Sequence, residues 1–390
     1  MNKSSHSFGD GTLHDSINSN IAQSINGLDI HYLDSGEVDD KKPLILLLHG
    51  FPELAYSWRK IIVPLSQSGY RVIAPDQRGF GRTTGWDNSY TDDLSTYSHI
   101  NLVRDMVALV YSLGYDSVEC VIGHDSGAGV AGWASIIRPD IFKSVILMSA
   151  PFAGPPSIPF DTNNNPIGQI HGRPDNISEE LASLKRPRKH YQHYYRTPEA
   201  NKDMTECSQG VHSFLRGYYH YKSADWQGNK PFQLESWTAG ELEKMPTYYI
   251  MDLEDNMAQT VEKEMPTQSQ IDSCKWLTET ELSVYAKEYS RTGFQGGLNW
   301  YRRGGNVASA PGSQQALEVF SGKKIDIPSL FIAGKQDWGP QQRPGALSNL
   351  QNKVCSNMKS MHFIDKAGHW VQQEQPEEVC KLVIEFLKTI

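Results

Sequence analysis

Cysteine is scarce and scattered in this chain. There are five, Cys120, Cys207, Cys274, Cys355 and Cys380, and no two form a CxxC pair. An odd, widely spaced set argues against a disulfide framework and offers no zinc-ligand spacing, so a reducing, cytoplasmic setting is expected. Long hydrophobic runs are missing as well. The longest aliphatic stretch, Leu44 to Leu48, is the length of a strand and far too short to cross a bilayer. The first 25 residues are rich in Ser, Asn and Gly and lack an apolar segment, so they read as a polar extension rather than a secretory signal. Nor is charge of one sign concentrated anywhere. The net charge of -8 is spread over interspersed acids and bases, and the short basic cluster Lys185 to Lys189 reads as a solvated helix end. Nucleic acid and membrane are therefore not expected as partners.

What the chain does have suits a large folded enzyme. With 390 residues, 38% of them hydrophobic and 21% charged, it can bury a substantial core. Short apolar segments alternate with helical patterns. Leu28 to Leu33 reads as an early edge strand. Pro43 to Leu48, Arg71 to Ala74, Val118 to Ile122 and Ser144 to Met148 read as buried strands, being continuously apolar. Between them, Asn101 to Leu113 and Gly127 to Ile137 have helical spacing. The alternation stops at Phe152. From there to about Lys324 the sequence is polar, aromatic and broken by Pro, Gly and Asn, with helical stretches but no β period. It resumes with Ser329 to Ala333, a strand near Lys359 to Ile364 and a final helix from Pro376 to Leu387. The expectation is a mostly parallel eight-stranded α/β sheet flanked by helices, formed by 26–151 and 325–390, with a helical cap, 152–324, inserted after the sixth strand.

Strand Val118 to Ile122 runs into Gly123-His124-Asp125-Ser126-Gly127, and a helix follows directly. Small residues two positions before and two after Asp125 are what a nucleophile elbow demands, because its strand-to-helix turn leaves no room for a bulky neighbour. Centring the elbow on Ser126 would instead put His124 at a position that must be small. Asp125 is therefore the expected nucleophile. A carboxylate there suits displacement at a saturated carbon, giving an enzyme ester that activated water then cleaves.

His369, in Gly368-His369-Trp370, follows the last strand, and Asp337, in Gly334-Lys335-Gln336-Asp337, follows Ser329 to Ala333. Nucleophile, acid and histidine come in the order used by α/β-hydrolases, which makes His369 the expected base and Asp337 its orienting acid, with Asp365 the rival. His49-Gly50-Phe51-Pro52 follows strand Pro43 to Leu48, where the backbone N–H of Phe51 would join that of Ser126 as an oxyanion hole. Asp76-Gln77-Arg78-Gly79-Phe80-Gly81-Arg82 reads as a structural turn.

Together, HGFPE at 49–53, DQRGFGR at 76–82, GHDSG at 123–127 and GHW at 368–370 resemble the epoxide hydrolase and dehalogenase branch of the α/β-hydrolases. The resemblance covers the core, about half the chain. It implies a hydrolase that turns an organic epoxide into a diol with no metal or organic cofactor, its partners being a small apolar epoxide and water. A homodimer is left open. It further implies two cap tyrosines that protonate the epoxide oxygen. Gly297-Leu298-Asn299-Trp300-Tyr301-Arg302 resembles the family's second tyrosine motif, giving Tyr301. The first is matched less distinctly by Tyr191, with Tyr194 and Tyr195 as alternatives. Pro52, Trp300 and Trp370, beside these residues, are expected to line the substrate.

Two departures stand out. The family usually has Trp after the nucleophile, where this chain has Ser126, and in haloalkane dehalogenases that Trp helps hold the departing halide. Halide expulsion is therefore disfavoured against epoxide opening, and the alternatives are another α/β-hydrolase (a dehalogenase, an esterase or a carbon–carbon bond hydrolase acting on a specialised metabolite) or a ligand-binding protein on the same scaffold. The cap also contains a stretch, about Trp226 to Met265, that does not match the family.

Overall fold

The structure, a computed structural model, describes residues 8–9, 11–35, 42–90, 93–156, 176–303 and 313–390. Its centre is an eight-stranded sheet built from β1 (Asn18–Ile25), β2 (Leu28–Asp34), β3 (Leu44–Leu48), β4 (Arg71–Pro75), β5 (Cys120–His124), β6 (Val145–Met148), β9 (Ser329–Gly334) and β10 (Met358–Ile364). The order is β1-β2-β4-β3-β5-β6-β9-β10. β1 and β2 run antiparallel, and the rest from β4 to β10 pair in parallel. Parallel strands covered on both faces by helices must be apolar throughout, and β3, β4, β5, β6 and β9 are buried at every residue.

The edge of the sheet departs from the expectation. β2 is not an edge strand, because β1, inside the stretch expected to be a polar extension, pairs alongside it and takes that place. The physical reason is that an edge strand needs few apolar side chains, so β1 alternates polar residues and resembles a tail. A signal was present in Asn26-Gly27, the turn between the two strands, where both residues have positive φ.

The register brings the strand ends into line. Leu48 pairs with Gly123, His124 with Met148, Met148 with Ile332, and Gly334 with Ile364. The loops that leave β3, β5, β9 and β10 therefore emerge along one edge of the sheet, as ligand-binding loops do in open α/β sheets.

The described part of the segment between β6 and β9 lies over that edge. It is mainly helical, with Gly210–Lys222 and Glu279–Thr292 packed together. It also holds a small antiparallel pair that the sequence pattern did not suggest, β7 (Arg188–His190) and β8 (Ile250–Asp252). Three residues per strand are too few for a β period to show. β8 lies within the stretch that matched no family pattern.

Polar contacts seat the cap on the core. Arg59 pairs with Glu281 and Arg82 with Glu288, while the hydroxyls of Tyr219 and Tyr289 donate to the carbonyls of Pro52 and Glu53. Gly79 and Gly296 meet backbone to backbone, where a Cβ on Gly296 would stand 2.0 Å from the Gly79 oxygen. The turn at 76–82 is structural, as expected. Asp76 accepts from His31 and from the backbone N–H groups of Ala55 and Arg82, and Arg78 grips Asp105 through two hydrogen bonds of 2.8 Å. Among the described residues no helix is long and apolar enough to cross a membrane.

Candidate active site

β5 ends at His124, and Asp125 takes φ 51° and ψ -121° before the helix Ser126–Ile137 begins. Such a conformation is strained for any residue with a Cβ, and it projects the carboxylate above the sheet edge. The flanking glycines are sterically required. A Cβ on Gly123 would lie 2.3 Å from the Gly127 oxygen, and one on Gly127 would lie 2.3 Å from the Leu48 oxygen. Gly50 is needed for the same reason, since its Cβ would collide with that of Asp125 at 2.4 Å.

Around this carboxylate the expected partners converge. The Phe51 N–H donates to Asp125 Oδ1 at 3.1 Å. Ser126 opens the helix, where its own N–H has no intrahelical acceptor. His369 Nε2 stands 3.5 Å from Asp125 Oδ2 and makes no hydrogen bond among the described residues. Its Nδ1–H donates to Asp337 Oδ1 at 3.1 Å, and that oxygen also accepts the Gly339 N–H at 2.7 Å. The rival Asp365 is elsewhere, paired with Lys335 and 77% exposed.

Electrostatics keep these acids ionised. Burial alone would raise the Asp125 pKa, but His369 beside it, with Lys222 and His124 behind, holds it well below the usual carboxylate range. Asp337 is likewise lowered against its burial by His369, the Gly339 N–H and Ser149. Below the elbow, Glu53 and His124 form a buried pair at 2.5 Å, and His124 Nε2 meets the His369 carbonyl oxygen at 2.7 Å. Both residues lie in the motifs, yet nothing in sequence spacing tied them to each other.

The cap tyrosines sort themselves by direction. The rings of Tyr191 and Tyr301 lie 6.0 Å apart, and burial followed by the negative charge of Asp125 raises both phenol pKa values. Tyr194 turns away to Asp203 at 2.9 Å. Tyr195 donates to the Tyr218 hydroxyl at 3.1 Å, its ring packed between Phe51 and Tyr301. Of the three alternatives, Tyr191 is the one on which the Asp125 charge acts; its hydroxyl donates to Gln342 Oε1 at 3.3 Å and accepts from Gln192 Nε2 at 3.1 Å.

The three expected lining residues serve mainly as packing. Trp300 is buried at the seam, its indole donating to the Arg78 carbonyl and its ring against Phe80. Trp370 backs His369 at 4.7 Å and donates to the Tyr219 carbonyl. Pro52 contributes its carbonyl to the Tyr219 contact. A cavity of about 500 Å³ opens beside Asp125 and Ser126, walled by His99, Trp133, Phe152 and Arg303. Tyr218 and Lys222, on one cap helix, both feel the Asp125 charge and were not singled out by the sequence. Their spacing of four along a cap helix was the one available hint.

An aspartate elbow at the carboxyl edge of a parallel sheet, covered by a helical cap, defines a capped α/β-hydrolase. The sequence profile of the alpha/beta hydrolase fold family matches residues 43–376. Epoxide hydrolase B of Mycobacterium tuberculosis (strain ATCC 25618 / H37Rv) is 34% identical, covering 93% of this chain and 96% of that protein. Epoxide hydrolase A of the same organism is 30% identical over 93% and 95%. Among solved structures, an epoxide hydrolase from an endophytic Streptomyces superposes with a TM-score of 0.73 at 27% identity, covering 96% of each chain. Potato (Solanum tuberosum) epoxide hydrolase I gives 0.68 at 29%, covering 96% of this chain and all of that one. The chain belongs to the α/β-hydrolase fold family, in its epoxide hydrolase branch.

Proposed function

We propose that this chain hydrolyses an organic epoxide to a vicinal diol through an ester on Asp125. Asp125 attacks one epoxide carbon from behind, and the carbon–oxygen bond breaks as Tyr301 and Tyr191 deliver a proton to the leaving oxygen. Raised phenol pKa values keep both donors protonated, and an alkoxide leaves only when a proton is held against it. His369, oriented by Asp337, then takes a proton from water, which attacks the ester carbonyl carbon. The Phe51 and Ser126 N–H groups stabilise the oxyanion until the tetrahedral species collapses; the departing alkoxide takes the proton of the added hydroxyl and leaves as diol, Asp125 is left as carboxylate, and the proton on His369 returns through water to the phenolate. In this reading the core, 26–151 and 325–390, supplies nucleophile and base, and the cap, 152–324, supplies the acids.

The observation that carries the reading is the carboxylate at the elbow. It sits 3.1 Å from the Phe51 N–H and 3.5 Å from His369 Nε2, and its charge adds to burial in raising the pKa values of the Tyr191 and Tyr301 phenols. Ser126, where halide-expelling relatives keep a Trp, leaves no indole donor for a departing halide. The five thiols are all free, which suits a reducing compartment, and we infer a cytoplasmic enzyme.

The test is the intact mass of a His369→Gln variant incubated with a panel of aryl and alkyl epoxides. An added mass of one epoxide, absent when Asp125→Ala is also present, is the expected result. No adduct, together with no turnover of the panel by the wild-type protein, would overturn the assignment.

A further inference from the structure

Lys222, the last residue of the cap helix Gly210–Lys222, turns its side chain inward and is only 4% exposed. Its carbonyl accepts the His369 N–H at 2.9 Å, so the backbone is fixed to the catalytic loop. Its ammonium stands over four rings: 4.9 Å from the centroid of Tyr249, 5.3 Å from Tyr218, 5.5 Å from Trp370 and 5.8 Å from Tyr248. No hydrogen bond or ion pair to it is present among the described residues. Burial lowers the Lys222 pKa, Asp125 is the strongest of the charges that oppose this, followed by Asp337 and Glu53, and Lys222 in turn helps hold Asp125 ionised.

A buried ammonium with no acceptor is costly, and stacking over aromatic faces offsets only part of that cost. A second donor beside it is also unspent. The Tyr249 hydroxyl is fully buried and has no hydrogen-bond partner among the described residues, while its ring lies 5.1 Å from that of Tyr191. Donors without acceptors next to a nucleophile call for a ligand that brings acceptors. A neutral epoxide brings one oxygen, already served by the phenols of Tyr301 and Tyr191. An anionic group would satisfy both spare donors, and without Lys222 the carboxylates of Asp125, Asp337 and Glu53 would repel it.

We propose that Lys222 and the Tyr249 hydroxyl form an anion subsite beside the nucleophile, so that the preferred substrates are epoxides carrying a carboxylate close to the oxirane ring. The proposal rests on the epoxide hydrolase reading and narrows its substrate class. The product is then a dihydroxy acid, released with its carboxylate unchanged.

The experiment compares two epoxides that differ only in charge, trans-3-phenylglycidate and its carboxamide. For the wild-type enzyme, kcat/KM is expected to favour the carboxylate by about tenfold or more, the scale of one charge-assisted contact. In Lys222→Met that ratio falls to about one or inverts, because the surrounding acids are no longer offset. Tyr249→Phe lowers it partway. A wild-type ratio of one or less overturns the subsite whether or not any variant folds. So does a Lys222→Met effect equal on both substrates, which would make the lysine a counter-ion for Asp125 alone. Alkylation of His369→Gln separates the failures: adduct from the carboxamide only leaves the hydrolase reading standing and sinks the subsite, and adduct from neither sinks both.

Discussion

Replacing Asp337 with Asn should slow ester hydrolysis far less than replacing it with Ala, and the reason lies in one oxygen. Asp337 Oδ1 accepts both the Gly339 N–H at 2.7 Å and His369 Nδ1–H at 3.1 Å, while Oδ2 is buried with no partner among the described residues. An Asn side chain must point its amide oxygen at the Gly339 N–H, which places that oxygen where Oδ1 was. The His369 tautomer, with Nε2 free to accept a proton from water, is then preserved. What is lost is the negative charge that stabilises the imidazolium. Exchanging a charge-assisted hydrogen bond for a neutral one costs about 1.5 kcal/mol, or roughly tenfold in rate. Asp337→Ala removes the acceptor as well and frees the ring, so about 10³-fold is expected there. Neither change touches the attacking carboxylate. Rapid-quench sampling with intact-mass detection follows ester formation and ester decay separately. The expected pattern is ester accumulation in both variants, slight in Asn and nearly complete in Ala, with formation rates close to wild type. Equal damage to hydrolysis in the two variants, or parallel loss of the alkylation step, would refute the reasoning.

Tyr301→Phe and Tyr191→Phe should each slow alkylation by about 10- to 100-fold and together by about 10³-fold, whereas Tyr194→Phe, whose hydroxyl bonds Asp203, should leave it near wild type. Single-turnover rates decide this, and a larger effect from Tyr194 than from Tyr191 would reverse the choice between them. The alkylation rate should be flat between about pH 5 and pH 9. The Asp125 pKa lies below the usual carboxylate range, so the nucleophile is already ionised at the acid end, and the raised phenols stay protonated at the alkaline end. An acid limb well above pH 5 in single-turnover rates would contradict that assignment. Gly127→Ala should destabilise by about 1–3 kcal/mol and abolish alkylation, because its Cβ meets the backbone oxygens of Leu48 and His49 at 2.3 and 2.6 Å. Gly129→Ala, with open space around its Cβ in the same helix, should be neutral or stabilising by up to about 1 kcal/mol. Denaturant midpoints compare the two, and equal midpoints would mean that the elbow tolerates a side chain.

The positions of the proposed triad, Asp125, Asp337 and His369, could be read from the chain because their requirements are local. Gly-His-Asp-Ser-Gly encodes a strained turn within five residues, and a Cβ at either glycine strikes backbone. Strand order then places the oxyanion loop, the acid and the base, since β3, β5, β9 and β10 each carry a functional loop off the same end and the register aligns them. Asp337 could be ranked above Asp365 because it follows the first strand after the cap, but the distance to His369 belongs to the fold. β1 was not legible because an edge strand can be nearly as polar as a tail, nor were β7 and β8, because three residues show no period.

In the cap the sequence determined only that helices and aromatics are present. Which of Tyr191, Tyr194 and Tyr195 faces Asp125 depends on how a five-residue helix is rotated against the core, and adjacent residues of a helix point about 100° apart. Trp300 looked like a substrate contact and instead bonds the Arg78 carbonyl across the seam. Lys222 carried no signal of its own in the sequence, and it is the fold that sets Trp370, Tyr248 and Tyr249 around it. The sequence by itself determined the fold class and the place of the proposed nucleophile, because both rest on backbone sterics and strand order within short windows. Only the tertiary structure decided which cap side chains meet that nucleophile, because their neighbours come from distant parts of the chain and their burial depends on how the cap seats on the sheet.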